Sequence, residues 1–320
     1  ETELLVEIAL RDQREWGLDL LTPGNPFAFG FGIVEPFLQA FDGLKRKAPL
    51  VYEAKSDFRI KPVAELQNLP VVAEVRWASD YLRQLRQLRR GPHYYFKANI
   101  TGIYTLARAI PLYSDLGASS ALYDKLSTGL IQIAQMMKKV ASNNLSHIQI
   151  DEPALGQLPF YEMTKPIIYQ NLIQNMLPAM KKLFQTIEEP TSRYKRDIAT
   201  CIHCPGELDV DIADILLKMN PFQIGIECAG LQKPSKNIEI LSYLHENNPE
   251  GAVGVGVFPG IPGDDFWDRK TLKNLLERIS EIYPAFVYIQ SNFGLHALPY
   301  PEAKAIYGIL AQLLPEKLKR

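Results

Sequence analysis

A chain of 320 residues with 47% hydrophobic content can bury one large α/β barrel or two medium domains, and 35 basic against 36 acidic side chains leave a formal net charge of -1. That balance carries no electrostatic footprint for nucleic acid or an anionic membrane, and it suits a small uncharged or zwitterionic ligand. No apolar run nears the roughly 18 residues needed to span a bilayer and residues 1–17 are too charged for a signal peptide, so the expected location is the cytoplasm. The three cysteines, Cys201, Cys204 and Cys228, do not make a disulfide framework; lying in one stretch, they suggest thiol or metal chemistry.

Glu1 to Trp16 places Leu4, Leu5, Ile8 and Leu10 among charges in a helical pattern that Gly17 ends, and the apolar run Leu18 to Leu21 follows. Thr22-Pro23-Gly24-Asn25-Pro26 is a turn. Residues 26–92 form an irregular excursion, with Leu50-Val51-Tyr52 and Val71 to Val75 read as strands and Asp80 to Arg90 as a basic helix. From Tyr94 the order is regular. Short β-type runs fall at Tyr94 to Ile100, His147 to Asp151, Asp197 to His203, Phe222 to Glu227, Ala252 to Phe258 and Phe286 to Gln290. Helical stretches follow them, among them Ala121 to Val140, Asp209 to Met219, Ile238 to His245, Trp267 to Ile282 and Pro301 to Leu314.

Alternating strand and helix with near-continuous apolar strands predicts a parallel sheet covered on both faces. A (β/α)8 TIM barrel is favoured over an open doubly wound sheet. No Gly-x-Gly-x-x-Gly element opens a helix after an early strand, and polar residues recur at the ends of several strands. With Leu18 to Leu21 the count reaches seven strands, and the missing first strand is expected before Glu1. The whole chain reads as one barrel domain.

Two stretches carry chemistry. In His147-Ile148-Gln149-Ile150-Asp151-Glu152-Pro153-Ala154-Leu155, a buried strand runs into two carboxylates that Pro153 places at its carboxyl end, where α/β folds put their ligands. Asp151 and Glu152 read as a functional pair or as a helix-capping pair. In Thr200-Cys201-Ile202-His203-Cys204-Pro205-Gly206, Cys201 and His203 share one face of a strand, and Cys204 joins them only where the chain bends. Glu227 and Cys228 end the next strand, so thiolate, imidazole and carboxylate from adjacent strand ends suit a tetrahedral zinc site that would activate a thiol. Buried structural cysteines and a hydrogen-bonded histidine are the plainer reading. Gly251 to Gly263 lacks the Lys-Ser/Thr of a P-loop and reads as a flexible loop at the barrel mouth; His296 reads as a surface residue, and Tyr94-Tyr95-Phe96 as packing.

These residues resemble the carboxyl-terminal catalytic barrel of cobalamin-independent methionine synthase, including the short archaeal forms that consist of that barrel alone. Ile148 to Leu155 is similar to the family's signature. Gly17-Leu18-Asp19 resembles its second strand, Thr101-Gly102 its Leu-Thr-Gly-Pro turn, Ile226-Glu227-Cys228-Ala229-Gly230 its zinc-ligand glutamate, and Gly294-Leu295 followed by Pro299 its Asp-Cys-Gly-Leu loop. The resemblance runs from about Gly17 to the carboxyl terminus. It implies a methyltransferase that moves a methyl group to the thiol of homocysteine through a zinc-activated thiolate, with Asp151 on the substrate's amino group and Glu152 and Asn25 beside it. It implies zinc on His203 and Glu227, with Cys204, Cys201 or Cys228 supplying sulfur.

Several positions depart from that pattern. Pro205 stands where a zinc cysteine is expected and Phe293 where the last one is, so the usual four-ligand set cannot form. Asn25 replaces a glutamate, Ala109 the tryptophan that stacks on folate, and Ile261 a loop histidine. A methylcorrinoid, free or on a corrinoid protein, is therefore the expected donor ahead of a methyl-folate. The alternative is a zinc-less paralogue that binds an amino acid or protein partner, or a methyltransferase for another thiol.

Overall fold

The computed structural model describes residues 2–18, 20–23, 33–88, 93–110, 120–141, 143–157, 166–190, 198–229, 236–257, 269–284 and 286–290, with a few positions between 301 and 309. The amphipathic helix α1 (Thr2–Glu15) buries Val6 and Leu10 and leads to the short strand β1 (Leu20–Leu21). Gln13 fastens the two together, its amide donating to the Thr22 carbonyl and accepting from the Thr22 N–H, both at 2.8 Å. The remaining barrel strands are β4 (Tyr95–Thr101), β5 (Leu145–Asp151), β6 (Ala199–Cys204), β7 (Gln223–Glu227), β8 (Ala252–Gly256) and β9 (Phe286–Gln290). All pair in parallel, in the order β1-β4-β5-β6-β7-β8-β9.

Sequential parallel neighbours joined through helices are the mark of a TIM barrel. Among the described residues, seven parallel strands with covering helices make this an α/β chain with TIM-barrel architecture, one strand short of eight, as the alternation of strand and helix predicts. Among the described residues no pairing joins β9 to β1. The crossovers include α5 (Ile103–Arg108) and α6 (Ser120–Val140) after β4, α7 (Pro166–Glu188) after β5, α8 (Val210–Met219), α9 (Asn237–Asn247) and α10 (Arg269–Ile282). Helix α8 begins at an Asp209 cap that accepts the Ile212 N–H at 2.9 Å and ends at Asn220 in the left-handed region (φ 57°). The expected Pro301 to Leu314 helix lies mostly outside the described residues.

The excursion between β1 and β4 differs from its sequence reading. It holds α2 (Glu35–Leu38), an antiparallel hairpin of β2 (Phe41–Ala48) and β3 (Val51–Ile60), the short α3 (Val63–Leu66), and α4 (Pro70–Gln87). The Leu50 to Tyr52 segment is only the start of a longer strand, and its partner β2 has no clear apolar alternation. Val71 to Val75 is not a strand; it is the first turn and a half of α4. Pro70 presets the helical φ at N1, and Val71, Val72, Val75, Ala78 and Leu82 form one buried stripe. The β-branched run favoured the wrong period, and packing of that stripe decided it.

The hairpin docks on α6 where Gly129 faces the Phe41 ring. A Cβ at Gly129 would come 2.4 Å from Phe41 Cζ, closer than any real contact. Alanine normally favours a helix interior over glycine by about 1 kcal/mol, so Gly129→Ala sets propensity against packing. The expected outcome in urea denaturation is a net loss of about 1–3 kcal/mol, the range for overpacking; equal or greater stability would show that the hairpin yields without cost.

Candidate functional site

Strand alternation sorts every candidate residue onto one of two faces. Ala98, Ile100, Ile148, Ile150, Ile202, Ile224, Ile226, Val253 and Val255 enter the hydrophobic core under the helices. Their neighbours face the barrel lumen. Register aligns Thr101, Asp151, His203 and Gly225 as one row across β4 to β7, and Asn99, Gln149, Cys201 and Gln223 as the row beneath it. TIM-barrel interiors are usually filled by branched aliphatic side chains. Here, from β4 to β9, the inward positions hold no valine, isoleucine or leucine among the described residues.

The lumen residues form a connected polar layer. Lys97 Nζ donates to Gln149 Oε1 at 2.6 Å, Gln149 Nε2 donates to Asp151 Oδ1 at 2.6 Å, and His203 Nδ1 lies 3.5 Å from the same oxygen. Cys201 Sγ donates to Gln223 Oε1 at 3.3 Å. Glycines give this layer its space: a Cβ on Gly254 would meet Gln223 Nε2 at 2.2 Å, and one on Gly225 would lie 3.1 Å from both His203 Cδ2 and Gln290 Nε2. Among the described residues, four buried lumen atoms have no hydrogen-bond partner: Asn99 Oδ1, His203 Nε2, Glu227 Oε1 and Gln290 Nε2. Buried polar atoms are rarely left so, and together they mark where a polar ligand or water belongs.

Glu227 reaches the same face from the end of β7. Its Oε2 accepts the Gly206 N–H at 2.8 Å, and Asn237, fully buried, donates to the Gly206 and Glu227 carbonyls at 2.8 Å each and accepts the Leu208 N–H at 2.7 Å. That asparagine locks the loops after β6 and β7 together. Burial pushes the Glu227 carboxyl above its ordinary range, while the Gly206 N–H and the nearby His203 pull the other way.

Glu152 does not join Asp151. It lies on the opposite face, fully buried, with Oε1 accepting the Tyr104 N–H at 2.9 Å and Oε2 accepting the Thr105 N–H at 2.9 Å and the Thr105 hydroxyl at 2.7 Å. It caps the first turn of α5, so the helix-capping reading of the pair holds for Glu152, and the substrate-binding expectation is corrected. Gly102 makes this possible, since a Cβ there would fall 2.1 Å from the Glu152 carboxyl carbon. Asn25 lies outside the described residues, as do Phe293, His296 and the part of the Gly251 to Gly263 loop from residue 258 on.

The zinc expectation meets the same alternation. Cys204 and Cys228 face the helix layer and sit in the hydrophobic core, both fully buried. Cys201 faces the lumen one row below His203, with its hydrogen on Gln223. Burial raises all three thiols, Cys201 and Cys228 to about 12. Among the described residues no three histidine, cysteine or acidic side chains converge as a metal site. His203 and Glu227 keep bare buried atoms that suit a cation, but the cysteines do not fit the sulfur-containing set, and this departs from the predicted grouping of His203, Cys204, Glu227, Cys201 and Cys228.

No protein-family model matches the chain, and no curated protein matches it. Among solved structures, similar chains include a beta-glucosidase mutant derived from a hyperthermophilic tetrameric structure, with a TM-score of 0.53, 11% identity and coverage of 99% of this chain and 85% of that one. An apo beta-glucosidase 1317 aligns with a TM-score of 0.43 and 10% identity over 77% of this chain and 80% of that one. A putative fructose-1,6-biphosphate aldolase from Coccidioides immitis aligns at 0.30 and 13%, over 80% and 95%. The first likeness shows the barrel architecture and nothing of the chemistry; the other two add nothing to it. No described helix is long and apolar enough to cross a membrane.

The buried Glu152 cap predicts a pH signature. Burial raises its carboxyl from 4.5 to about 7, against the opposing pull of its Thr105 and Tyr104 hydrogen bonds. Because the folded value is the higher one, the linked stability is full below about pH 4.5 and is lost as pH rises through about 7, a change on the order of 3 kcal/mol. The expected result is a melting temperature that falls between pH 5 and 8 in the wild type and falls less in Glu152→Gln; parallel profiles would contradict it.

Proposed function

We propose that the strand ends of this barrel bind an amino acid of the homocysteine type, with Asp151 taking the ligand's ammonium group, in a methionine synthase-like chain that does not use a cysteine-ligated zinc. The observation that carries this reading is the state of Asp151. Its Oδ1 is held by Gln149 and faces His203, while the side chain keeps partial access to the lumen at 23% exposure. An ionised carboxylate fixed on one oxygen is an acceptor prepared for a charge-assisted hydrogen bond on the other. Around it, Gln290 Nε2 offers a donor for a ligand carboxylate, and Glu227 Oε1 offers a second acceptor. That mixture suits a zwitterion better than a uniformly charged ligand. The near-neutral charge of the chain agrees with a small cytoplasmic metabolite.

One observation favours a second reading. If His203 directs its Nδ1–H at Asp151, the neutral ring presents a bare Nε2, the arrangement common in histidines that bind metals through the other nitrogen. With Glu227 Oε1 also bare, the alternative is a working methyltransferase for homocysteine or another thiol. Ala109, buried at the end of α5, offers no ring for folate stacking, which favours a methylcorrinoid donor.

Calorimetric titration with L-homocysteine tests the first reading. Asp151→Asn is expected to weaken binding at least tenfold, about 1.4 kcal/mol, and an unchanged dissociation constant would remove Asp151 from the site. Metal analysis after purification in excess zinc separates the two readings. Well under one equivalent is expected, with Cys204→Ser and Cys201→Ser leaving that content unchanged. One full equivalent that disappears in His203→Ala and Glu227→Gln, together with methyl transfer from methylcobalamin to L-homocysteine, would replace the first reading by the second.

A further inference from the structure

Lysine is seldom placed inside a barrel, yet Lys97 of β4 reaches Gln149 of β5 within this lumen. Its nearest hydrogen-bond partner is the neutral Gln149 amide and not a carboxylate, at 2.6 Å. Burial pulls the Lys97 ammonium below its ordinary range, with the nearby Asp151 carboxylate opposing. Such a placement costs stability, and replacing it by an apolar chain of similar length is expected to be harmless to the fold.

What Lys97 supplies is direction. A glutamine side chain has an acceptor end and a donor end, and either can point either way. An ammonium only donates and an ionised carboxylate only accepts, so one orientation of Gln149 satisfies both neighbours: Oε1 toward Lys97 and Nε2 toward Asp151 Oδ1. The reversed amide would set two oxygens against each other at Asp151. Gln149 is itself buried, 6% exposed, so water cannot freely take over the missing contact.

We infer that Lys97 is a positioning residue: it fixes the Gln149 amide, which in turn holds Asp151 Oδ1 and leaves Oδ2 for the ligand's ammonium group. This deepens the amino-acid reading of Asp151 and rests on it for the ligand, but the relay from Lys97 to Gln149 exists without one. Lys97 does not touch the ligand in this account.

Two measurements test it. In 15N-labelled ligand-free protein, the Gln149 side-chain amide, identified by its absence in Gln149→Glu, is expected to exchange its protons at least tenfold faster in Lys97→Met than in the wild type, with slow exchange restored in Lys97→Arg. Equal exchange in wild type and Lys97→Met overturns the relay. In calorimetry with L-homocysteine, Lys97→Met is expected to weaken binding about tenfold in the wild-type background and less than twofold in Asp151→Asn. A tenfold loss in both backgrounds overturns the positioning role, because it places Lys97 on the ligand directly. If Lys97→Met fails to fold, Lys97→Gln reads the same relay: its amide offers Gln149 both a donor and an acceptor and so no longer fixes the orientation, and slow exchange retained in Lys97→Gln overturns the relay. Slow wild-type exchange lost in Lys97→Met, without any L-homocysteine binding by the wild type, would uphold the relay and sink the amino-acid reading.

Discussion

The alternation of a β-strand decides what this barrel can do. Three strands in a row end in a pair of neighbouring polar or sulfur-bearing residues: Asp151-Glu152, His203-Cys204 and Glu227-Cys228. Consecutive side chains on a strand cannot share a face. The first member of each pair enters the lumen and the second enters the layer beneath the helices, where Glu152 caps α5 and Cys204 and Cys228 pack in the apolar core. One geometric rule thus gathers Asp151, His203 and Glu227 and removes both outward cysteines from their reach.

The lumen that results is unlike a packed barrel centre. Gln149, Gln223 and Gln290 occupy it, and Gly225 and Gly254 leave the room those amides need. A polar interior is stable only where its hydrogen bonds are met. Much of this one is met internally, through Lys97, Gln149, Asp151 and the Cys201 to Gln223 bond, and what is left over lies near the strand ends. The leftover acceptors and donors are what the proposed amino-acid ligand would have to satisfy.

Much of the fold is legible in the sequence, because seven short apolar runs separated by helical stretches specify a parallel barrel through periodicity alone. The failures have physical causes. Val71 to Val75 carries strand-type residues, yet the buried stripe continuing through Ala78 and Leu82 makes it helix. Strand β2, Phe41–Ala48, is half exposed and charged, so no apolar alternation announced it. Among the candidate residues, the place of Asp151, His203 and Glu227 at strand ends is legible in the sequence, whereas Cys228, offered there as a sulfur ligand, turns away from Glu227 into the core. Cys204 was harder, since β6 continues through it where a bend before Pro205 was the condition for its joining the site. Lys97, Gln149 and Asn237 gave no signal: their roles depend on partners 50 or so residues away in sequence or on a different loop.

The most direct test of this account is a crystal structure of the protein grown with excess zinc and L-homocysteine. The expected structure has the amino group of the ligand within hydrogen-bond distance of Asp151, Glu152 still seated on the first turn of α5, and Cys204 and Cys228 free of metal. A zinc ion bound by either of those cysteines, or a ligand whose ammonium group lies away from Asp151, would contradict it.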